Sequence, residues 1–176
     1  MNTEQINSEA VNQTVGFHLG QADAPVKTVE FINLRCPYCK EWWDKSGQVL
    51  DPYVSNGQVQ RIVKLFDKDK PGLRKGNILH TYLDYEDRKR AAEDLNYYMH
   101  HFNDWAALPD QDLSVFAETQ RQARKQDNRS QSEAIVQEAA EANVRLVPTI
   151  FIGEHVFDEH ISVEELRDIV ENKLKH

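Results

Sequence analysis

The chain has 176 residues, 40% of them hydrophobic, and 29 acidic against 21 basic side chains give it a net charge of −8. That length suits one domain, or one domain carrying a large insertion, and the apolar share is enough for a core. The acidic balance argues against nucleic acid or an anionic membrane as the main partner, and no apolar stretch of about 18 residues is present to span a bilayer.

Met1 to Glu9 has neither a basic leader region nor an apolar one, which suggests a cytoplasmic protein; an exported protein with its leader removed would read the same. Residues 1–13 read as a loosely held polar extension. Val15 to Leu19 reads as a short strand, followed by a turn through Ala22-Asp23-Ala24-Pro25 and a strand from Val26 to Asn33. From Pro37 to about Ser55, Trp43, Gly47, Leu50 and Val54 recur at helical spacing, and Asn56-Gly57 ends that run. Val59 to Phe66 is rich in β-branched and apolar residues, so strand, helix and strand form a βαβ unit.

After Asp67 to Gly72 the pattern changes. Three apolar faces follow at helical spacing: Ile78, Leu79, Tyr82 and Leu83; then Ala91, Leu95, Tyr98, Met99 and Phe102; then Leu113, Phe116 and Ala117. These define an all-helical insertion over residues 72–128. Ser130-x-x-Glu133 has the form of a capping box opening a helix through Asn143. Thr149 to Ile152 and His155 to Phe157 read as a hairpin turning on Gly153, and Ser162-x-x-Glu165 caps a last helix that buries Leu166, Ile169, Val170 and Leu174. The predicted fold class is α/β, with residues 14–71 and 129–176 forming one domain interrupted by the insertion.

The chain has only two cysteines, and they sit together as Cys36-Pro37-Tyr38-Cys39 where a strand gives way to a helix. With Pro37 as the first helical residue, Cys36 falls at the N-cap and Cys39 one turn on, on the same side. Their Cα atoms are then roughly 5 Å apart, within reach of a disulfide. A thiolate at the N-cap faces free backbone N–H groups and the positive end of the helix, which lowers a thiol pKa from about 8.5 into a range of roughly 3.5–7.5. Cys36 is therefore the predicted nucleophile, and Arg35 beside it adds a cation that favours the thiolate. A zinc site needs two more ligands, and no second cysteine pair exists. A purely structural disulfide across so short a loop removes little chain entropy. No motif implies a metal or a nucleotide, so the only expected redox group is the Cys36–Cys39 pair itself.

The βαβ and ββα units around one central mixed sheet, with Cys-Pro-Tyr-Cys at the first helix and Val147-Pro148-Thr149 opening the hairpin, resemble the thioredoxin fold. The interposed helical block is similar to that of the DsbA-like branch, including its bacterial cytosolic members. The resemblance runs from about Val15 to the C-terminus and includes His18-Leu19-Gly20, Asp23-Ala24-Pro25-Val26 and Glu30-Phe31. It implies that Glu30 is a buried acid with a raised pKa, exchanging a proton with Cys39, and that Lys64 is its charge partner. It also implies that Pro148 is a cis-proline holding the Val147 backbone beside the cysteines, where an extended substrate strand can pair. Glutaredoxins share the Cys-Pro-Tyr-Cys motif, but their downstream glycine and acidic glutathione site are replaced here by Phe157-Asp158-Glu159-His160.

The predicted activity is dithiol–disulfide exchange: Cys36 attacks, Cys39 resolves, Glu30 handles the proton, and Arg35, Pro37 and Tyr38 tune the potential. Expected partners are proteins bearing disulfides or thiols and a redox partner that resets the pair. Two other classes share the architecture: an enzyme of the kappa-class glutathione-transferase type, which normally lacks a second active-site cysteine, and a binding module without catalysis.

Overall fold

A computed structural model describes all residues, 1–176. Five strands, β1 (Phe17–Leu19), β2 (Val26–Ile32), β3 (Val59–Leu65), β4 (Thr149–Ile152) and β5 (His155–Phe157), form one sheet in the order β1-β3-β2-β4-β5. β2 and β3 run parallel, joined by helix α1 (Pro37–Ser55), and every other pairing is antiparallel. This is the mixed α/β sheet that the two units predict, and β2 and β3 are buried along most of their length because helices cover both faces.

Register decides which side chain faces which layer. In a parallel pair, residues opposite one another point to the same face. Glu30 stands opposite Val63 and Thr28 opposite Arg61, all toward α1, whereas Phe31 stands opposite Lys64 on the other face. That second face packs Val29, Phe31, Ile62 and Phe151 against helix α6 (Arg129–Glu141). The α1 face carries the larger core. There Ile32, Val63 and Leu65 join Trp42 and Leu50 of α1 and Leu166 and Val170 of helix α7 (Val163–Leu174). α7 begins with the predicted capping box between Ser162 and Glu165.

The insertion consists of α2 (Arg74–His80), α3 (Arg88–His100), α4 (Phe102–Ala106) and α5 (Asp112–Arg121). Tyr98, Met99, Trp105 and Leu113 are fully buried, and the cluster they form is continuous with the α1 core. Tyr82 and Leu83 lie beyond the end of α2, and Phe102 opens a separate helix, so two of the predicted faces are built from a helix plus the turn after it.

Two expectations are corrected. Ser130 is not a cap: α6 starts at Arg129 with Asn128 at the N-cap, and the Asn128 carboxamide donates instead to the carbonyls of His80 (3.0 Å) and Leu83 (2.8 Å). Residues 1–13 are not loosely held. Ile6 and Val11 pack against the α6 core, the Asn7 amide bonds the Ala142 carbonyl at 2.9 Å, and Asn12 donates twice to the buried Glu138. No helix is long and apolar enough to cross a membrane.

Candidate functional site

The cysteine pair sits where β2 ends and α1 begins. Cys36 is the N-cap, extended at φ −79° and ψ 118°, with Pro37 opening the helix. Both cysteines carry free thiols; Cys36 is 5% exposed, while Cys39 is 0% exposed. The contrast sets their chemistry. The Cys36 thiol is lowered to about 7, chiefly by its hydrogen bond with the Cys39 thiol; burial opposes this, and the backbone N–H groups of Cys39 and Tyr38 reinforce it. Burial pushes the Cys39 thiol well above its ordinary value, and the Cys36 sulfur adds to the effect. One sulfur is a thiolate in about half the molecules at neutral pH, and its neighbour holds its proton. Alkylation of Cys36 is therefore expected to rise with pH along a single titration centred near 7. A midpoint of about 8.5, that of a free cysteine, would contradict this environment.

Val147, from the loop before β4, brings its carbonyl oxygen to 3.4 Å from Cys36 Sγ, and the Val147–Pro148 peptide bond is cis. Pro37, Tyr38, Arg35 and Val147 line one groove with Cys36, about 340 Å³ in volume. The structure thus brings together Cys36, Cys39, Arg35, Pro37, Tyr38, Val147 and Pro148. Glu30 is not part of this surface.

Glu30 is fully buried behind α1, and its expected partner and charge state are both corrected. Its carboxylate accepts from Arg61 Nε (2.8 Å) and Nη2 (2.7 Å), Thr28 Oγ1 (2.7 Å) and Trp42 Nε1 (2.8 Å). Burial pushes the carboxyl up, but the Arg61 charge and these bonds outweigh it and hold the group below the usual carboxylate range. An isolated acid with a raised pKa is therefore absent, and with it the basis for a proton reservoir at this position. Lys64 points to the opposite face and pairs with Glu138 at 2.7 Å. Strand parity carried the signal: Arg61, Val63 and Leu65 alternate on the Glu30 face, and Lys64 falls between them.

Sequence reasoning also missed the clamp on the segment before Cys36. Asn33 Oδ1 accepts the Arg35 amide (2.9 Å), and its Nδ2 donates to the Phe66 carbonyl (3.0 Å) and Asn77 Oδ1 (2.8 Å). The Asn33 amide lies 3.4 Å from Cys39 Sγ, where it favours the thiolate. The Leu34 amide donates to His80 Nε2 (3.2 Å), so the ring proton sits on Nδ1, facing Asp67 Oδ1 at 2.5 Å. Gly76, Asn77 and His80 all belong to α2, so the insertion holds the segment that leads into Cys36. A Cβ on Gly76 would lie 2.0 Å from Asn33 Oδ1 and 2.7 Å from the Arg35 nitrogen. A glycine inside a helical pattern was the available signal for this close approach. Gly76→Ala is expected to lower stability by about 1–3 kcal/mol by forcing the bonded loop to move, read from urea unfolding midpoints. A midpoint equal to the wild type would show that the loop shifts freely.

Comparison with known proteins places this geometry. A family model described as thioredoxin matches residues 12–172. The chain belongs to the thioredoxin family. Among solved structures of this fold, a conserved protein of unknown function from Enterococcus faecalis V583 is 39% identical, with a TM-score of 0.93 over 97% of this chain and 98% of that one. The catalytic domain of Proteus mirabilis ScsC is 18% identical, with a TM-score of 0.73 over 95% and 93% of the two chains. The thiol-disulfide exchange protein alpha-DsbA2 from Wolbachia pipientis is 16% identical, with a TM-score of 0.68 over 92% and 88%. These structures share its fold, and in this chain helices α2 to α5 are inserted between β3 and α6 of the thioredoxin domain. Among curated proteins none matches it.

Proposed function

We propose that the protein is a thiol–disulfide oxidoreductase acting on protein disulfides through Cys36 and Cys39. The observation that carries this reading is the asymmetry of the pair: a thiol lowered to about 7 at the groove, backed by a fully buried thiol one helical turn away. The Cys36 thiolate attacks one sulfur of a substrate disulfide; that S–S bond breaks, and the second substrate sulfur leaves as a thiolate. Cys39 then gives up its proton, which ends on the departed thiolate, and attacks Cys36 Sγ. The mixed disulfide breaks, the first substrate sulfur leaves, and the electron pair of the protein dithiol has reduced the substrate. The Asn33 amide beside Cys39 Sγ supports the second thiolate as it forms. Run backwards, the same steps oxidise a substrate dithiol.

A stabilised Cys36 thiolate favours the dithiol and makes the pair more oxidising. In a compartment poised at about −280 mV such a pair stays reduced and works as a reductase or isomerase, whereas in an oxidising compartment it donates disulfides. Cys39→Ser is expected to trap mixed disulfides with oxidised substrate proteins, seen as reductant-sensitive adducts on gels. Absence of adducts, with Cys36 still alkylated at the wild-type rate, would remove Cys39 from the resolving role.

A further inference from the structure

Three loops bring four cations to the groove beside Cys36: Arg35 before α1, Lys68 and Lys70 after β3, and Arg145 before Pro148. No carboxylate lines this groove, and none of the four forms an ion pair. In a chain with 29 acidic side chains against 21 basic ones, an uncompensated cluster of this kind is unexpected on balance alone. Three of the cations are anchored by neutral partners that leave the charge intact. Lys68 donates to the Arg145 carbonyl and lies 5.0 Å from the Phe66 ring centre; Arg35 lies 5.2 Å from that of Phe102; Arg145 Nε donates to Asn143 Oδ1 at 2.8 Å. Lys70 is exposed. Nor are they mainly devices for activating the nucleophile, because the Cys39 thiol and the helix amides dominate at Cys36. Their field faces whatever enters the groove. Tyr38, 57% exposed, and Leu146, 59% exposed, add apolar surface at its edge.

We propose that this groove selects protein substrates whose reactive cysteine lies in an acidic segment that also carries apolar side chains. The proposal rests on the redox reading above and names its substrate class. Carboxylates flanking the substrate disulfide meet the four cations while Tyr38 and Leu146 cover neighbouring apolar groups. Opposite charges speed encounter over a Debye length, so the preference is strongest at low salt. The exchange step itself is unchanged.

The test uses reduced full-length protein and three short peptides, each with a central cysteine in disulfide linkage to 2-mercaptoethanol, flanked by Glu and Leu, Gln and Leu, or Lys and Leu. At an ionic strength of about 0.02 M the Glu peptide is expected to react about tenfold faster than the Lys peptide, falling below about twofold at about 0.5 M. The double variant Lys70→Glu, Arg145→Glu, which changes two exposed side chains and leaves the groove with no net charge, is expected to bring the ratio of the Glu to the Lys peptide below about twofold at low salt; a ratio that stays near about tenfold would overturn the proposal. Taking the ratio of rates cancels any change in Cys36 reactivity common to all three peptides. Equal rates for the three, all above those of Cys36→Ser, would overturn the selectivity and leave the redox reading standing. Rates no faster than Cys36→Ser would overturn both. Glutathione disulfide reacting faster than the Glu peptide would overturn the assignment to a protein segment.

Discussion

Replacing Cys36 with serine is expected to lower disulfide reduction to less than about 1% of the wild-type rate. A serine hydroxyl is not ionised near neutral pH, so the attacking atom is lost, and Cys39 cannot stand in for it. Burial holds the Cys39 thiol well above its ordinary value, so only a small fraction is thiolate at pH 7, and its sulfur is 0% exposed. The Cys36–Cys39 hydrogen bond, the largest influence lowering Cys36, also makes Cys39 the proton holder. Insulin reduction with dithiothreitol measures the outcome directly. A variant retaining even a tenth of the wild-type rate would place the nucleophile elsewhere, and a wild-type protein with no rate above background would favour a binding module without catalysis.

Arg61→Leu is expected to cost about 3–5 kcal/mol of stability at pH 7, the range for removing one partner of a buried ion pair. Arg61 gives Glu30 two hydrogen bonds, donates to Ser46 Oγ at 2.9 Å and lies 4.4 Å from the Trp43 ring centre. Leucine leaves the Glu30 carboxylate with only Thr28 and Trp42 as donors. The pH dependence has a definite sign. In the wild type the folded pKa of Glu30 is lowered, so its stabilisation is present above the unfolded value of about 4.3 and is lost as pH falls through the folded one. In the variant burial prevails and the folded pKa rises above the unfolded one, so the penalty grows as pH rises. The gap between the two proteins should therefore narrow on acidification from pH 7 to pH 5, as read by urea unfolding at each pH. A difference below about 1 kcal/mol at both values would show that Glu30 is satisfied without its arginine.

The local signals in the sequence carried the scaffold well. Pro37 after Cys36 places the start of α1, Gly153 turns the β4–β5 hairpin at φ +57°, and Ser162 with Glu165 caps α7. These features depend on residues close together in the chain. What stayed hidden depends on which face of a strand meets which layer, and on contacts between distant segments. Lys64 and Arg61 are both basic residues on β3, and only the β2–β3 register separates the partner of Glu138 from the partner of Glu30. Asn128, with Ser130 two residues on, looks like routine helix-start chemistry, yet its carboxamide reaches the carbonyls of His80, the last residue of α2, and Leu83 beyond it. His80 gives no local sign that its ring meets the backbone before Cys36. The cysteine motif was legible because both of its members lie within one turn.

The contact between α2 and the loop before Cys36 also bears on how divisible the molecule is. A shortened protein lacking residues 72–128 would retain the strands and both cysteines, so on a topology diagram it would look like a minimal redox domain. It would lose the acceptor of the Leu34 amide, the Asn77 carboxamide that holds Asn33, and the Asn96 oxygen that accepts from Trp43 Nε1 at 2.8 Å. The peptide groups leading into Cys36 would turn to water, and α1 would expose an indole that the parent keeps covered. The inserted helices thus brace the segment that leads into the reactive centre, and grafting the Cys-Pro-Tyr-Cys loop onto a smaller sheet would transfer the two sulfurs without those braces.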